Sequence, residues 1–372
     1  MTERPALVVG LMSGTSLDGM DAALVRFRGP DRAELVGFHS RSYVAAERRV
    51  LEEVIQGGDV AGLARLHARL GVWATEAVEH LLEGTGVSAL ELDLIAFHGQ
   101  TAWHEPPLVS WQLGEPAILA ERFGVRVVSS FRSRDVAAGG EGAPLVPMAD
   151  VLLFGGDAPR VLLNIGGMAN LTFVRRRAME EGAFAFDTGP GMVVIDSLAR
   201  RVDPSVSFDR DGAISAAGTV HEDVLADLLA DPYFDRRPPK STGRERFGGT
   251  FADALAARVP GPDGVATAVE LTARSIARAI REWVPGARTG QGAGIEVVVS
   301  GGGSRHPGVM RSLESHLGHV VRRFEDLFFS ADAKEAVAFA LLGYLTVHGQ
   351  PGNLPRATGA VGSRVLGSIT PP

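Results

Sequence analysis

Apolar residues in this chain gather in short unbroken runs that end in glycine. Leu7-Val8-Val9 leads into Gly10 and Gly14, and Val161-Leu162-Leu163 leads into Gly166-Gly167. Ile295-Glu296-Val297-Val298-Val299 leads into Gly301-Gly302-Gly303. Runs of this length suit strands buried on both faces beneath helices. Between them, apolar positions recur every three to four residues. That spacing predicts helices over 61–82, 116–123, 193–202, 220–229, 251–259, 266–283, 307–317 and 334–347. Strands alternating with helices define an α/β architecture with mixed sheets.

The element order restarts partway along. Strands are predicted at 7–12, 20–27 and 35–44, followed by a helical region and a strand at 93–98. A second set, at 161–165, 169–175 and 183–186, also precedes helices. The recurrence lies in element order rather than in sequence identity and points to duplication of one module. The Pro-rich, charged stretch 231–246 and the Gly-rich stretch 285–294 read as flexible loops, and the tail after Gly349 as extended chain.

Composition narrows the class. The 372 residues are 45% hydrophobic and 22% charged, the balance of a globular protein, and long enough for two domains. A net charge of −7 argues against a broad phosphate-backbone footprint, so nucleic acid is not an expected partner. Without cysteine there is no disulfide, thiolate metal site or cysteine nucleophile. No apolar run approaches the roughly 18 residues that span a bilayer, and the opening residues lack the pattern of a secretory signal. The expected location is the cytoplasm, with no membrane partner.

Six segments carry candidate chemistry. Gly14-Thr15-Ser16-Leu17-Asp18-Gly19-Met20-Asp21 reads as a polar glycine turn between two strands, where backbone amides and hydroxyls can meet an anion. It lacks the Walker lysine, and an ordinary Asp-Gly hairpin is the competing reading. Asn164, Gly166 and Gly167 form a second such turn. In the third, Gly301, Gly302 and Gly303 precede a helix that opens on Pro307, an arrangement that aims amides at a ligand and leaves Gly303 bare enough for a flat base. Asp187 ends a strand ahead of Thr188-Gly189-Pro190-Gly191 and suits a general base, against the reading of an Asp that only ties the turn. His98, Gln100 and Thr101, with Arg132 and Arg134, offer donors for a sugar and its acid group. A core histidine and a surface Arg–Asp pair are the alternatives. His98 and His104 form no strong metal spacing. The segment Lys240-Ser241-Thr242-Gly243-Arg244-Glu245 fits a capping box as well as a substrate loop. The helical pattern from Lys334 to Val347 reads as a core helix.

In this order the segments resemble the anhydro-N-acetylmuramic acid kinase family of the sugar kinase/heat-shock ATPase/actin superfamily. The resemblance runs nearly end to end, and includes Gly142-Ala143-Pro144, Lys334-Glu335-Ala336 and Pro351-Gly352-Asn353-Leu354-Pro355. It implies a two-lobed fold of duplicated ribonuclease-H-like domains around an ATP cleft. One lobe would comprise 1–130 plus about 350–372, the other 131–349. It further implies that ATP and water convert 1,6-anhydro-N-acetylmuramic acid to N-acetylmuramic acid 6-phosphate, in cell-wall amino-sugar recycling. Residues 14–21 then map onto the ATP loop and Asp187 onto the catalytic carboxylate, with the other two glycine turns also at the nucleotide. His98, Gln100, Thr101, Arg132, Arg134 and Gly189 fall to the sugar. Mg²⁺ would be held by Asp18 and Asp21, and a homodimer would fit the family. Met192, Ser130 and Glu141 depart from the family pattern. A conformational ATPase of the actin or heat-shock type is the alternative, and an ATP-independent glycoside hydrolase a third class.

Overall fold

The structure, a computed structural model, describes residues 4–14, 16–287 and 294–372. Thr15 of the first glycine turn and positions 288–293 of the Gly-rich stretch lie outside the described residues. The chain divides into two compact units, Met1–Phe154 with Asp332–Pro372, and Gly155–Ala331.

The first unit is built on β1 (Ala6–Ser13), β2 (Gly19–Gly29), β3 (Arg32–Ser42), β4 (Leu94–Glu105), β5 (Val109–Leu113), β6 (Val127–Ser129) and β12 (Ser368–Thr370). Their order is β12-β6-β4-β1-β2-β3, with β5 paired to β4. The first three strands are antiparallel, while β1–β4 and β4–β6 are parallel. The second unit holds β7 (Arg160–Ile165), β8 (Met168–Val174), β9 (Phe184–Pro190), β10 (Glu296–Ser300) and β11 (Arg322–Arg323), ordered β11-β10-β7-β8-β9. Again the first three strands are antiparallel and the crossover strands parallel. With the β5 hairpin and the added edge strand β12 set aside, both sheets therefore read third, second, first, fourth, fifth. That is the duplicated ribonuclease-H-like arrangement, present in topology without sequence repetition.

Strand alternation explains the continuous apolar runs. Val9 and Leu11 of β1 face the cluster that includes Leu66, Leu70 and Ala74 of the helix Val60–Thr85. On the opposite face the helix Lys334–Val347 comes so close that a Cβ at Gly10 would lie 2.0 Å from the Ala336 carbonyl oxygen. This helix is apolar nearly all round because it is covered nearly all round. It packs on β1, β2 and β4, so residues 332–349 group with the first unit. Residues 131–154 do so as well, and the expected second lobe of 131–349 is too long at both ends.

The 231–246 stretch is no loose linker. Tyr233, Phe234 and Lys240 are buried, and two short helices, Pro232–Asp235 and Arg244–Phe247, interrupt it. Its prolines and charges mimic a linker, whereas its aromatic pair anchors it to the second unit's core.

Candidate active site

Asp187 sits in β9, and three hydrogen bonds fix it. Its backbone N–H donates to the Lys240 carbonyl at 3.0 Å, its carbonyl accepts from the Tyr233 hydroxyl at 2.7 Å, and its Oδ2 accepts from the Thr242 amide at 2.9 Å. The carboxylate stays half-buried. Burial, then the Asp187 charge, pushes the Tyr233 phenol well above its ordinary pKa, so it remains a donor. The sheet register lines up Asp187 with Asn170 of β8, Asn170 with Asn164 of β7, and Asn164 with Ser300 of β10. Directly opposed residues point to the same face, so a polar row runs from the carboxylate toward the third glycine turn. A shift in register between Ala169 and Asn170 accompanies the turn of the chain past Asp187. Beyond it Thr188 is buried and donates to the Ala169 carbonyl.

The turn past Asp187 is rigid for reasons of packing. At Gly189 (φ +147°) a Cβ would lie 2.8 Å from the Phe234 ring. Its lack of a side chain thus serves the fit against Phe234 rather than a sugar contact. The amides of Gly191, Met192 and Val193 donate to the carbonyls of Gly167, Gly166 and Gly167 at 2.9, 2.8 and 3.2 Å. The Gly166-Gly167 turn is thereby stitched to the start of the helix Met192–Val202. Met192 itself points into the hydrophobic core, which accounts for an apolar residue at that departure from the family pattern.

In the third turn the glycines differ. Gly303 is buried, and a Cβ there would meet Ile165 Cγ2 at 2.3 Å, so the residue serves close packing and offers no open backbone to a base. At Gly301 (φ +82°) a Cβ would lie 2.6 Å from Asn164 Oδ1, bringing the second and third turns together. Gly302 is exposed with open space around it. Just behind, buried His306 and Asp209 pair at 3.1 Å.

Within the first unit, Leu17 (φ +54°) closes the first turn by donating its N–H to the Gly14 carbonyl at 3.3 Å. Ser16 Oγ donates to Asp18 Oδ1 at 2.8 Å on the exposed side. Gly19 and Met20 are strand residues. A Cβ at Gly19 would lie 2.5 Å from the Arg41 carbonyl oxygen, and the Met20 side chain is fully buried, so both side-chain positions are taken up by packing. Asp21 is half-buried, and its carboxyl is pushed up to about 6, first by burial and then by Asp18, Glu335 and Asp332.

His98 and Gln100 are buried and act inward. His98 Nδ1 bonds the Gly99 carbonyl at 2.7 Å and Nε2 accepts from Arg132 Nε at 3.0 Å. Burial, followed by the Arg132 charge, holds the imidazole well below its ordinary pKa, so it is a neutral acceptor. Arg132, also bonded to the Gly142 carbonyl at 2.9 Å, is the group presented. Gln100 Oε1 accepts from Ser13 Oγ at 2.6 Å, bracing the first turn from beneath, and Thr101 Oγ1 accepts from Gln112. Arg134 is exposed, two residues from Arg132 and on another side of the helix Phe131–Ala137. Asp135 forms no surface pair. Fully buried, it accepts from the Gly142 amide, Asn353 Nδ2 and Thr358 Oγ1, tying in the C-terminal tail.

Sequence reasoning assigned no role to four residues here, although three of them lie in segments it singled out. Tyr233 and Thr242 hold Asp187, and Asn170 stands opposite it. Glu335 is accessible yet densely surrounded, which raises its carboxyl while Arg132 and Lys334 pull it down. The charged pair opening an otherwise apolar helix was the available signal for Glu335, and its neighbour Lys334 is anchored by Asp150 at 2.8 Å. Among the described residues, no group of three or more His, Asp or Glu is arranged to hold a metal, and no helix is long and apolar enough to cross a membrane.

A twice-used sheet, glycine turns behind its leading strands and one firmly held carboxylate define a two-lobed protein of the sugar kinase/heat-shock ATPase/actin class. The chain belongs to the anhydro-N-acetylmuramic acid kinase family, whose profile matches residues 6–372. It is 39% identical to the anhydro-N-acetylmuramic acid kinase of Caldanaerobacter subterraneus subsp. tengcongensis over 98% of this chain and 96% of that one. It is 42% identical to the Gloeobacter violaceus enzyme of the same name, covering 99% of both chains. With the Xanthomonas axonopodis pv. citri enzyme the identity is 41% over 98% of both.

Proposed function

We infer that this chain is an ATP-dependent carbohydrate kinase that converts 1,6-anhydro-N-acetylmuramic acid, with water, to N-acetylmuramic acid 6-phosphate. The observation that carries the mechanism is the threefold fixing of Asp187 on a polar row. The anhydro sugar has no free 6-hydroxyl, so an acceptor oxygen must be created as the bridge breaks. Asp187 takes a proton from water as that water attacks the anomeric carbon. The departing bridge oxygen takes the γ-phosphoryl group of ATP and so needs no second carboxyl as acid, unlike the pair in ordinary glycosidases. Arg132, held by neutral His98, is the cation for the sugar's carboxylate.

Mg²⁺ suits the first turn. Burial, and with it the Asp18 charge, raises the affinity of Asp21 for a proton, which a bound cation would relieve; Asp18 and Asp21 supply hard oxygen donors and would hold the ion, in part through water. When bound, it neutralises phosphate charge. The backbone of the first turn suits nucleotide phosphates, and Gly302 offers open backbone of the same kind in its own unit. The setting is the cytoplasm, and a homodimer accords with the family resemblance.

Incubation with ATP, Mg²⁺ and the anhydro sugar tests the reading, with the product read by mass and NMR. Sugar-dependent ADP release with a ring-opened 6-phosphate supports it. ADP release indifferent to sugar would return the chain to the conformational ATPases, and ring opening without ATP consumption to the hydrolases.

A further inference from the structure

We propose that Lys240 is a positioning residue for Asp187, clamping the strap whose Thr242 amide holds the carboxylate. This rests on the assignment of Asp187 as the base. Lys240 is 5% exposed, a rare degree of burial for a lysine. Its Nζ donates to the carbonyls of Tyr233 and Phe234 at 3.1 Å each and lies 4.6 Å from the Tyr233 ring centroid. The same residue's carbonyl receives the Asp187 N–H, and two positions on, Thr242 donates to Asp187 Oδ2. The Tyr233 hydroxyl closes the loop on the Asp187 carbonyl. One buried side chain thus ties together every element that holds Asp187 in the bonds described above. Glu282, Arg278, Arg236 and Asp235 are the charged groups around it.

The geometry has a consequence that mere structural support lacks. An amide donating to a carboxylate favours its charged form and lowers its pKa. If the ammonium is removed, the strap relaxes, Thr242 withdraws and the Asp187 carboxyl titrates at higher pH.

The test compares wild type with Lys240→Met and Lys240→Gln. Carboxyl ¹³C NMR titration of Asp187, assigned with Asp187→Asn, reads the clamp without reference to turnover. An upward shift on the order of half to one pH unit is expected in Lys240→Met, and a smaller one in Lys240→Gln, which keeps one donor. Should Lys240→Met fail to fold, Lys240→Gln carries the same expectation. In turnover, kcat should fall roughly 10- to 100-fold with the KM for ATP within about twofold, and the acid limb of kcat should move up with the titration. An unmoved titration in a folded variant overturns the proposal. A wild type inactive on the anhydro sugar overturns the functional reading instead, while the titration still decides the clamp.

Discussion

Asp187 is one carboxylate among many, and what separates it is how few ways it can move. Backbone N–H, backbone carbonyl and Oδ2 are each bonded to the 231–246 strap. Asp187→Asn preserves the shape and removes the proposed base, so kcat should fall about 10²- to 10⁴-fold while ATP binding, measured by calorimetry, stays near wild type. Retained turnover would assign the proton to another group. Asp209 carries a different kind of charge, one that stabilises the fold. Burial favours its neutral form, but the bond to His306 and those to Ser215 and the Ile214 and Ser215 amides prevail, and its carboxyl falls to about 2. A folded pKa below the unfolded value of about 3.9 means the contribution is whole above that pH and disappears as pH drops from about 4 to 2. The shift corresponds to about 2 kcal/mol. Denaturant melts across that range should show the loss, and Asp209→Asn should be less stable at neutral pH with a flatter acid slope.

At the scale of elements, the glycine turns were the most legible feature, and also the one whose glycines divide by purpose. Gly303 has Ile165 against it, whereas Gly302 faces open space. Gly303→Ala should therefore cost about 1–3 kcal/mol by overpacking. Gly302→Ala should leave the melting temperature nearly unchanged, and a raised KM for ATP in that variant would report close approach of the nucleotide. Equal destabilisation by the two substitutions would contradict this division. The strands before these turns and the helices Pro116–Phe123, Pro307–Leu317 and Lys334–Val347 are legible because their apolar spacing survives in one short window. Other parts are not. The β4–β5 hairpin continues the 93–98 strand into exposed residues such as Trp103, His104 and Glu105, where the alternation fades. The 231–246 strap owes its order to Tyr233 and Phe234 entering a core assembled by distant segments, which local composition does not record. His98 stood out in the sequence, but its part as a neutral acceptor was not legible, since its partner Arg132 lies 34 residues on.

For the whole molecule, the same strand order used twice divides the labour. The first unit contributes the turn with Asp18 and Asp21 and the cation Arg132, and the second contributes Asp187 and the Gly301-Gly302-Gly303 turn. Ligand binding should then reduce backbone exchange in both units at once. Hydrogen exchange with a non-hydrolysable ATP analogue, Mg²⁺ and the anhydro sugar should protect peptides covering residues 13–18 and peptides covering 301–305 to similar occupancy. The 187–191 and 240–245 peptides should gain protection only when the sugar is present, as the proposed role of Asp187 toward the sugar requires. Nucleotide protection confined to one unit would withdraw the other unit's glycine turn from the nucleotide-binding assignment, even with Asp187 essential.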